Sequence, residues 1–170
     1  MTPAQLMAEL NGFTRDASHG KFATMAVAIY DRDEQSLRYS SAGHPPPLLR
    51  RSATGEVSRL ENAHGPVLGP LPGARYTDAT VPVEPGDILV MYTDGLVERR
   101  GADVDTGIRA AERIIAEWSP DVAIGTYCSV LQDRLAPRPR ADDVCVIAIR
   151  FTPGDQGPRE VCSQRSGSNL

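Results

Sequence analysis

EPGDILVMYTDGLVE, residues Glu84 to Glu98, contains the most apolar run in the chain and carries its reading. Pro85 presets one central turn residue and Gly86 tolerates positive φ at the next, so Glu84 to Asp87 reads as a turn. Asp87 to Thr93 then has no polar alternation, which predicts a central strand buried on both faces. The strand ends at Asp94-Gly95, leaving a carboxylate at its tip. A second apolar run, Val144 to Phe151, follows the acids Asp142-Asp143. If the two runs are antiparallel neighbours, the end of the first and the start of the second lie at one sheet edge, because antiparallel pairing reverses direction. Carboxylates gathered there, without a group of histidine or cysteine ligands nearby in sequence, suit a hard oxygen-binding ion such as Mg²⁺ or Mn²⁺ rather than zinc. The plainer reading stays open on pattern alone: Asp-Gly is a common turn dipeptide, and Asp-Asp a common solvated strand start.

Upstream, Leu6, Met7, Leu10 and Phe13 recur at helical spacing behind a Thr2-Pro3 start signal, which predicts a short helix from Thr2 to Phe13 packed on a sheet. Phe22 to Tyr30, Leu37 to Ala42 and Pro47 to Arg50 read as strands of a meander, with turns at Asp31-Arg32-Asp33 and Gly43-His44-Pro45-Pro46. Val57 to Leu60 is a further short strand. The loop GPVLGPLPG, Gly65 to Gly73, needs special backbone angles for no reason visible in sequence, and Ala74 to Val83 alternates as a strand. Downstream, Ile108 to Trp118 and Pro120 to Leu135 have helical spacing, with Ser119 as N-cap of the second and Pro120 at its first position. Ala136 to Arg140 is a connector. Residues 1–152 read as one domain, and the Gly/Ser-rich stretch 153–170 as a disordered tail unable to bury enough surface to offset its ordering entropy.

The chain has 170 residues, room for one domain with a core, and 41% hydrophobic and 24% charged residues argue against a disordered or fibrous class. A net charge of −4 with scattered arginines leaves no basic stripe for nucleic acid. The N-terminus has neither a signal-peptide pattern nor an apolar run of membrane-spanning length. Cys128, Cys145 and Cys162 are an odd set with no CxxC pair, read as reduced residues of a cytoplasmic protein. On its strand, Cys145 serves packing rather than nucleophilic catalysis.

Taken in order, SAGHPPPLL (Ser41 to Leu49), PVLG (Pro66 to Gly69), EPGDILVMYTDGLVE (Glu84 to Glu98) and ADDVCVIAIR (Ala141 to Arg150) resemble the successive signature blocks of SpoIIE/RsbU-type bacterial Ser/Thr phosphatases, of the protein phosphatase 2C superfamily. The likeness runs from about Pro3 to Phe151. It implies an α+β fold, a four-layer αββα sandwich with a binuclear Mn²⁺/Mg²⁺ centre at one end. The aspartate of the TDG block is a metal ligand in such enzymes, which maps to Asp94, and the first of the DD block maps to Asp142. Asp143 is then a supporting acid, unless the register exchanges the two. The implied chemistry is hydrolysis of phosphoserine or phosphothreonine on a regulatory protein, such as an anti-sigma-factor antagonist, by water activated between two ions.

His44 lies in a turn that the resemblance places near the metal edge, where substrate contact and a purely structural role are both open. Gly43, Gly69 and Gly95 read as turn geometry, Glu98, Arg99 and Arg100 as a solvated segment, and His19 and His64 as surface residues. The resemblance also places a Gly-Asp block, whose aspartate bridges both ions, before the helix that begins near Pro3. On that basis the domain is expected to be incomplete at its N-terminus. The alternative expectation is a catalytically inactive homologue serving as a protein-binding regulatory module.

Overall fold

The computed structural model of the chain describes residues 1–17, 21–99, 101, 103–119, 122–136, 143–152 and 160–166. In chain order the elements are α1 (Pro3–Ala17), β1 (Met25–Asp31), β2 (Ser36–Ala42), β3 (Leu48–Arg50), β4 (Val57–Arg59), β5 (His64–Gly65), β6 (Ala79–Pro82), β7 (Ile88–Tyr92), a 3-10 turn (Asp94–Leu96), α2 (Val104–Ala116), α3 (Ile124–Leu135), β8 (Val144–Arg150) and β9 (Glu160–Ser166). They form two units, Met1–Pro46 with Leu60–Val83 and Pro47–Arg59 with Glu84–Leu170.

The first unit is a helix on a small sheet. β1 and β2 pair antiparallel from Met25 opposite Ala42 to Asp31 opposite Ser36. Their connecting turn is held by Asp31, whose Oδ1 accepts the N–H groups of Asp33 and Glu34. The far edge of β2 is shared: β6 pairs with it antiparallel, Leu37 opposite Val81, and β5 pairs parallel, Ser41 opposite His64. Met7 of α1 is fully buried with Ala42 and Leu68, while Leu10, Met25, Val27 and Tyr76 pack around them. The helix runs to Ala17, past the expected end at Phe13.

The second unit is a five-stranded sheet, β4-β3-β7-β8-β9, antiparallel at every pairing. On one face Leu48, Ile88, Val90, Tyr92, Val144, Val146 and Ala148 alternate inward against Ile108, Ala111 and Ile115 of α2 and Tyr127, Cys128 and Leu131 of α3. Leu49 and Leu89, which point to the other face, are also buried, so β7 is a two-sided core strand as its composition predicts. The turn before it forms as read: Gly86 has φ +91°, and Asp87 donates its N–H to the carbonyl of Glu84. Asp87 is 1% exposed and accepts from Arg51 Nη1 and the N–H groups of Ser52 and Glu84. Buried Arg50 donates from Nη2 to the carbonyl of Trp118 at 2.7 Å. That carbonyl lies just past the end of α2, where a cation opposes the helix dipole.

Four expectations are corrected. The meander stops after β2: Pro45, Pro46 and Pro47 supply no N–H for a ladder, and β3 joins the other sheet beside β7. Only Ala79–Pro82 of the Ala74 to Val83 stretch is a strand, and Tyr76 lies so close to Gly65 that a Cβ there would meet its Cδ1 at 2.7 Å. Helix α3 begins at Ile124 behind Ala123, which offers no side-chain cap. The Ser119 carbonyl instead takes the Val122 N–H in a preceding turn and also accepts from the Tyr127 hydroxyl; Pro120 lies outside the described residues. Finally, Glu160–Ser166 of the expected tail forms β9, paired along the whole of β8 from Arg150 opposite Glu160 to Val144 opposite Ser166. The edge of β8 offers a row of backbone groups, and their pairing does not depend on the apolar content from which a tail was inferred. Residues 153–159 and 167–170 lie outside the described residues.

Candidate functional site

Strand β7 ends where its partner β8 begins, Tyr92 opposite Val146. Thr93 adds one more rung, its N–H donating to the carbonyl of Cys145 at 3.1 Å. Its own carbonyl has turned away to accept the Leu96 N–H at 3.0 Å, opening the 3-10 turn. In the ladder the Thr93 hydroxyl stands in for that carbonyl. Oγ1 accepts the Cys145 N–H at 2.9 Å and donates to the carbonyl of Asp143 at 3.1 Å.

Asp94 follows directly. Its carbonyl accepts the N–H groups of Val97 and Glu98 at 2.9 and 2.7 Å, and its Oδ1 accepts the Gly95 N–H at 2.9 Å. The residue is exposed, and Oδ2 has no hydrogen-bond partner among the described residues. The backbone beneath it is fixed by close packing: a Cβ on Gly107 of α2 would sit 2.0 Å from the Val97 carbonyl oxygen.

The antiparallel relation inferred from the two apolar runs therefore holds, and it brings Asp94 and the backbone of exposed Asp143 to one edge. Asp142 lies outside the described residues. His44 belongs to the first unit, in the turn after β2. Its Nδ1 is 3.1 Å from the Thr24 hydroxyl, and its carbonyl accepts from Ser41 Oγ at 3.0 Å. His64 is exposed at the start of β5, and His19 and Arg100 lie outside the described residues. Arg99 is exposed and donates from Nη2 to the Leu135 carbonyl at 2.7 Å. Thr93 was not singled out from sequence. The available signal was a hydroxyl residue at the last strand position before a turn dipeptide.

Among the described residues no group of three or more His, Cys, Asp or Glu side chains is placed to hold a metal ion. The donors that Asp94 and its neighbours present at the edge are oxygens, which fit a hard cation completing its shell with water. A separate cavity of about 500 Å³ opens between the Leu96-Val97 segment, α2 and α3, with Arg99, Arg113 and Arg134 among its lining. Among the described residues its one acid, Glu117, is paired with Arg134 at 3.2 Å, which does not suit a cation.

The fold is of the protein phosphatase 2C type. The SiaA-PP2C domain of Pseudomonas aeruginosa matches with a TM-score of 0.69 at 19% identity, covering 88% of this chain and 61% of that one. The sequence profile described as Stage II sporulation protein E (SpoIIE) matches residues 1–152, and the chain belongs to that family. The RsbU and RsbW domains of Rv1364c from Mycobacterium tuberculosis give a TM-score of 0.74 at 28% identity over 91% of this chain and 44% of that chain. Phosphoserine phosphatase RsbU of Bacillus subtilis is 32% identical over 99 residues, 58% of this chain and 29% of that protein. The chain thus spans less than a third of the length of the curated relatives it matches. No helix among the described residues is long and apolar enough to cross a membrane.

Proposed function

We propose that this chain forms part of a metal-dependent protein-serine/threonine phosphatase, acting in the cytoplasm on a phosphorylated regulatory protein such as an anti-sigma-factor antagonist. The observation that carries the reading is the closed end of the β7–β8 pair, which sets Asp94 beside the start of the strand that Asp142 and Asp143 precede. Asp94 offers its Oδ2 to Mn²⁺ or Mg²⁺, and Asp142 is the second ligand of the proposal. Bound ions of this kind activate water and offset charge on phosphoryl oxygens. The role of Asp94 is to hold its carboxylate still, and the hydrogen bonds to its carbonyl and Oδ1 support that role. His44 is the substrate contact of the proposal, with its ring beside Thr24.

The test titrates Mn²⁺ into the 170-residue chain, following free ion by electron paramagnetic resonance, and assays Mn²⁺-dependent hydrolysis of a phosphoserine peptide. Asp94→Asn is expected to weaken ion binding at least about tenfold, the loss of roughly 1.4 kcal/mol of ligand energy, and to abolish any ion-dependent turnover. Equal Mn²⁺ binding by the variant would overturn the assignment.

A second reading, a partner-binding module without catalysis, draws on Phe13, Phe22 and Leu71, exposed by 70%, 66% and 53% in the first unit. Mn²⁺-dependent turnover that Asp94→Asn removes would exclude it.

A further inference from the structure

We infer that Thr93 is the positioning residue of the Asp94 edge: its hydroxyl terminates the β7–β8 ladder so that the chain can turn into the loop that presents Asp94 without leaving a backbone group unpaired. The inference rests on the metal-site reading above and deepens it.

The argument is one of hydrogen-bond accounting. In an antiparallel ladder a residue paired in this register spends its N–H and its C=O on the same partner. Thr93 does this with only one of the two. Its N–H donates to Cys145, but its C=O is taken by the Leu96 N–H, the bond that closes the 3-10 turn around Asp94. Ladder and turn compete for one carbonyl. Without a substitute, the Cys145 N–H would be left without a partner beside an apolar strand, which is costly.

The Thr93 hydroxyl resolves the competition because it both donates and accepts. It accepts the Cys145 N–H at 2.9 Å and passes its own proton to the Asp143 carbonyl at 3.1 Å. The second bond reaches past Val144 to the residue that follows Asp142, so one side chain ties the Asp94 turn to the segment entering β8. A β-branched residue also suits this strand end, since its χ1 freedom is restricted in advance. Serine keeps both bonds with less restriction, whereas valine keeps the shape and loses both.

Thr93→Val, Thr93→Ser and Asp94→Asn, compared with the parent chain, test this. Amide hydrogen exchange resolved to the Cys145 and Leu96 peptides reads the brace without any metal. Thr93→Val is expected to speed exchange there at least about tenfold, with Thr93→Ser close to the parent and far-ultraviolet circular dichroism unchanged. Mn²⁺ titration reads the consequence: the dissociation constant is expected to rise at least about fivefold in Thr93→Val and less than twofold in Thr93→Ser. Unchanged exchange in Thr93→Val overturns the brace. Faster exchange with unaltered Mn²⁺ affinity, where Asp94→Asn does weaken it, overturns the positioning role alone. Mn²⁺ binding absent from the parent, or indifferent to Asp94→Asn, overturns the metal reading and this inference with it.

Discussion

Asn11 of α1 holds Gly69 by a hydrogen bond, its Oδ1 accepting the glycine N–H at 2.8 Å, while its Nδ2 donates to the Leu71 carbonyl at 3.0 Å. The amide is 3% exposed. This pair gives the Gly/Pro-rich loop its reason: Gly69 has φ +110°, and a Cβ there would meet the Lys21 carbonyl oxygen at 3.0 Å and Thr14 Cγ2 at 3.2 Å. Asn11→Ala removes both bonds; the Leu71 carbonyl keeps the Ala74 N–H, but the buried Gly69 N–H is left unpaired, at a cost of about 1–3 kcal/mol. A urea denaturation midpoint lowered with unchanged slope is the expected result.

Gly107→Ala sets two effects against each other. Alanine favours a helix interior by about 1 kcal/mol over glycine. Against that, its Cβ would fall 2.0 Å from the Val97 carbonyl oxygen and 2.8 Å from the Val97 carbonyl carbon, backbone that cannot swing aside. Overpacking costs about 1–3 kcal/mol and here exceeds the propensity gain. The variant should melt below the parent and, because Val97 closes the turn carrying Asp94, bind Mn²⁺ more weakly. A higher melting temperature would show that α2 yields without strain.

Asp87→Asn keeps the shape of a buried side chain that accepts three hydrogen bonds. The amide presents a donor where an acceptor is needed and leaves the Arg51 guanidinium, 29% exposed, without its 2.8 Å partner. A loss of about 2–4 kcal/mol is expected, measured by thermal or chemical denaturation.

Asp105 gives a pH test. The Arg59 guanidinium hydrogen-bonded to it, with Arg109 adding its charge, holds its pKa below the ordinary 3.8. A depressed folded pKa contributes stability that is complete above the unfolded value and lost as pH falls through the folded one. The melting-temperature difference between the parent and Asp105→Asn should therefore be constant above about pH 5 and shrink below pH 3.8. A difference independent of pH down to 2 would show that the pairing contributes nothing.

Much of the second unit was legible in the sequence because β7 is apolar throughout and β8 is apolar from Val144 to Ile149, with its one charged residue, Arg150, at the end of the strand. The turn at Glu84 to Asp87 was legible for a similar reason, since proline and glycine restrict its geometry locally. Partner choice was not. Leu48 follows β2 so closely that a hairpin is the natural inference, and only the sheet shows β3 beside β7. β9 was hidden because Glu160–Ser166 is bound by backbone groups that every residue except proline possesses. Of the site, Asp94 was legible as a carboxylate at a strand tip. Thr93 was not, because its task arises from a carbonyl shared between ladder and turn, and sequence does not show which way a carbonyl points.

The path of the chain between its two units sets how this domain can be handled by synthesis and by recombination. It passes from one to the other at Pro46-Pro47, back at Arg59-Leu60, and across again at Val83-Glu84. A nascent chain carries the β3–β4 pair before β7, the other partner of β3 in the sheet, has been made, and β7 in turn waits for two helices to be translated before β8 follows. Nor does any single cut part the two units from each other. A gene fusion or split-protein scheme broken at any one of these junctions would leave at least one unit divided between the pieces, so the segment must be inherited, moved and engineered as one piece.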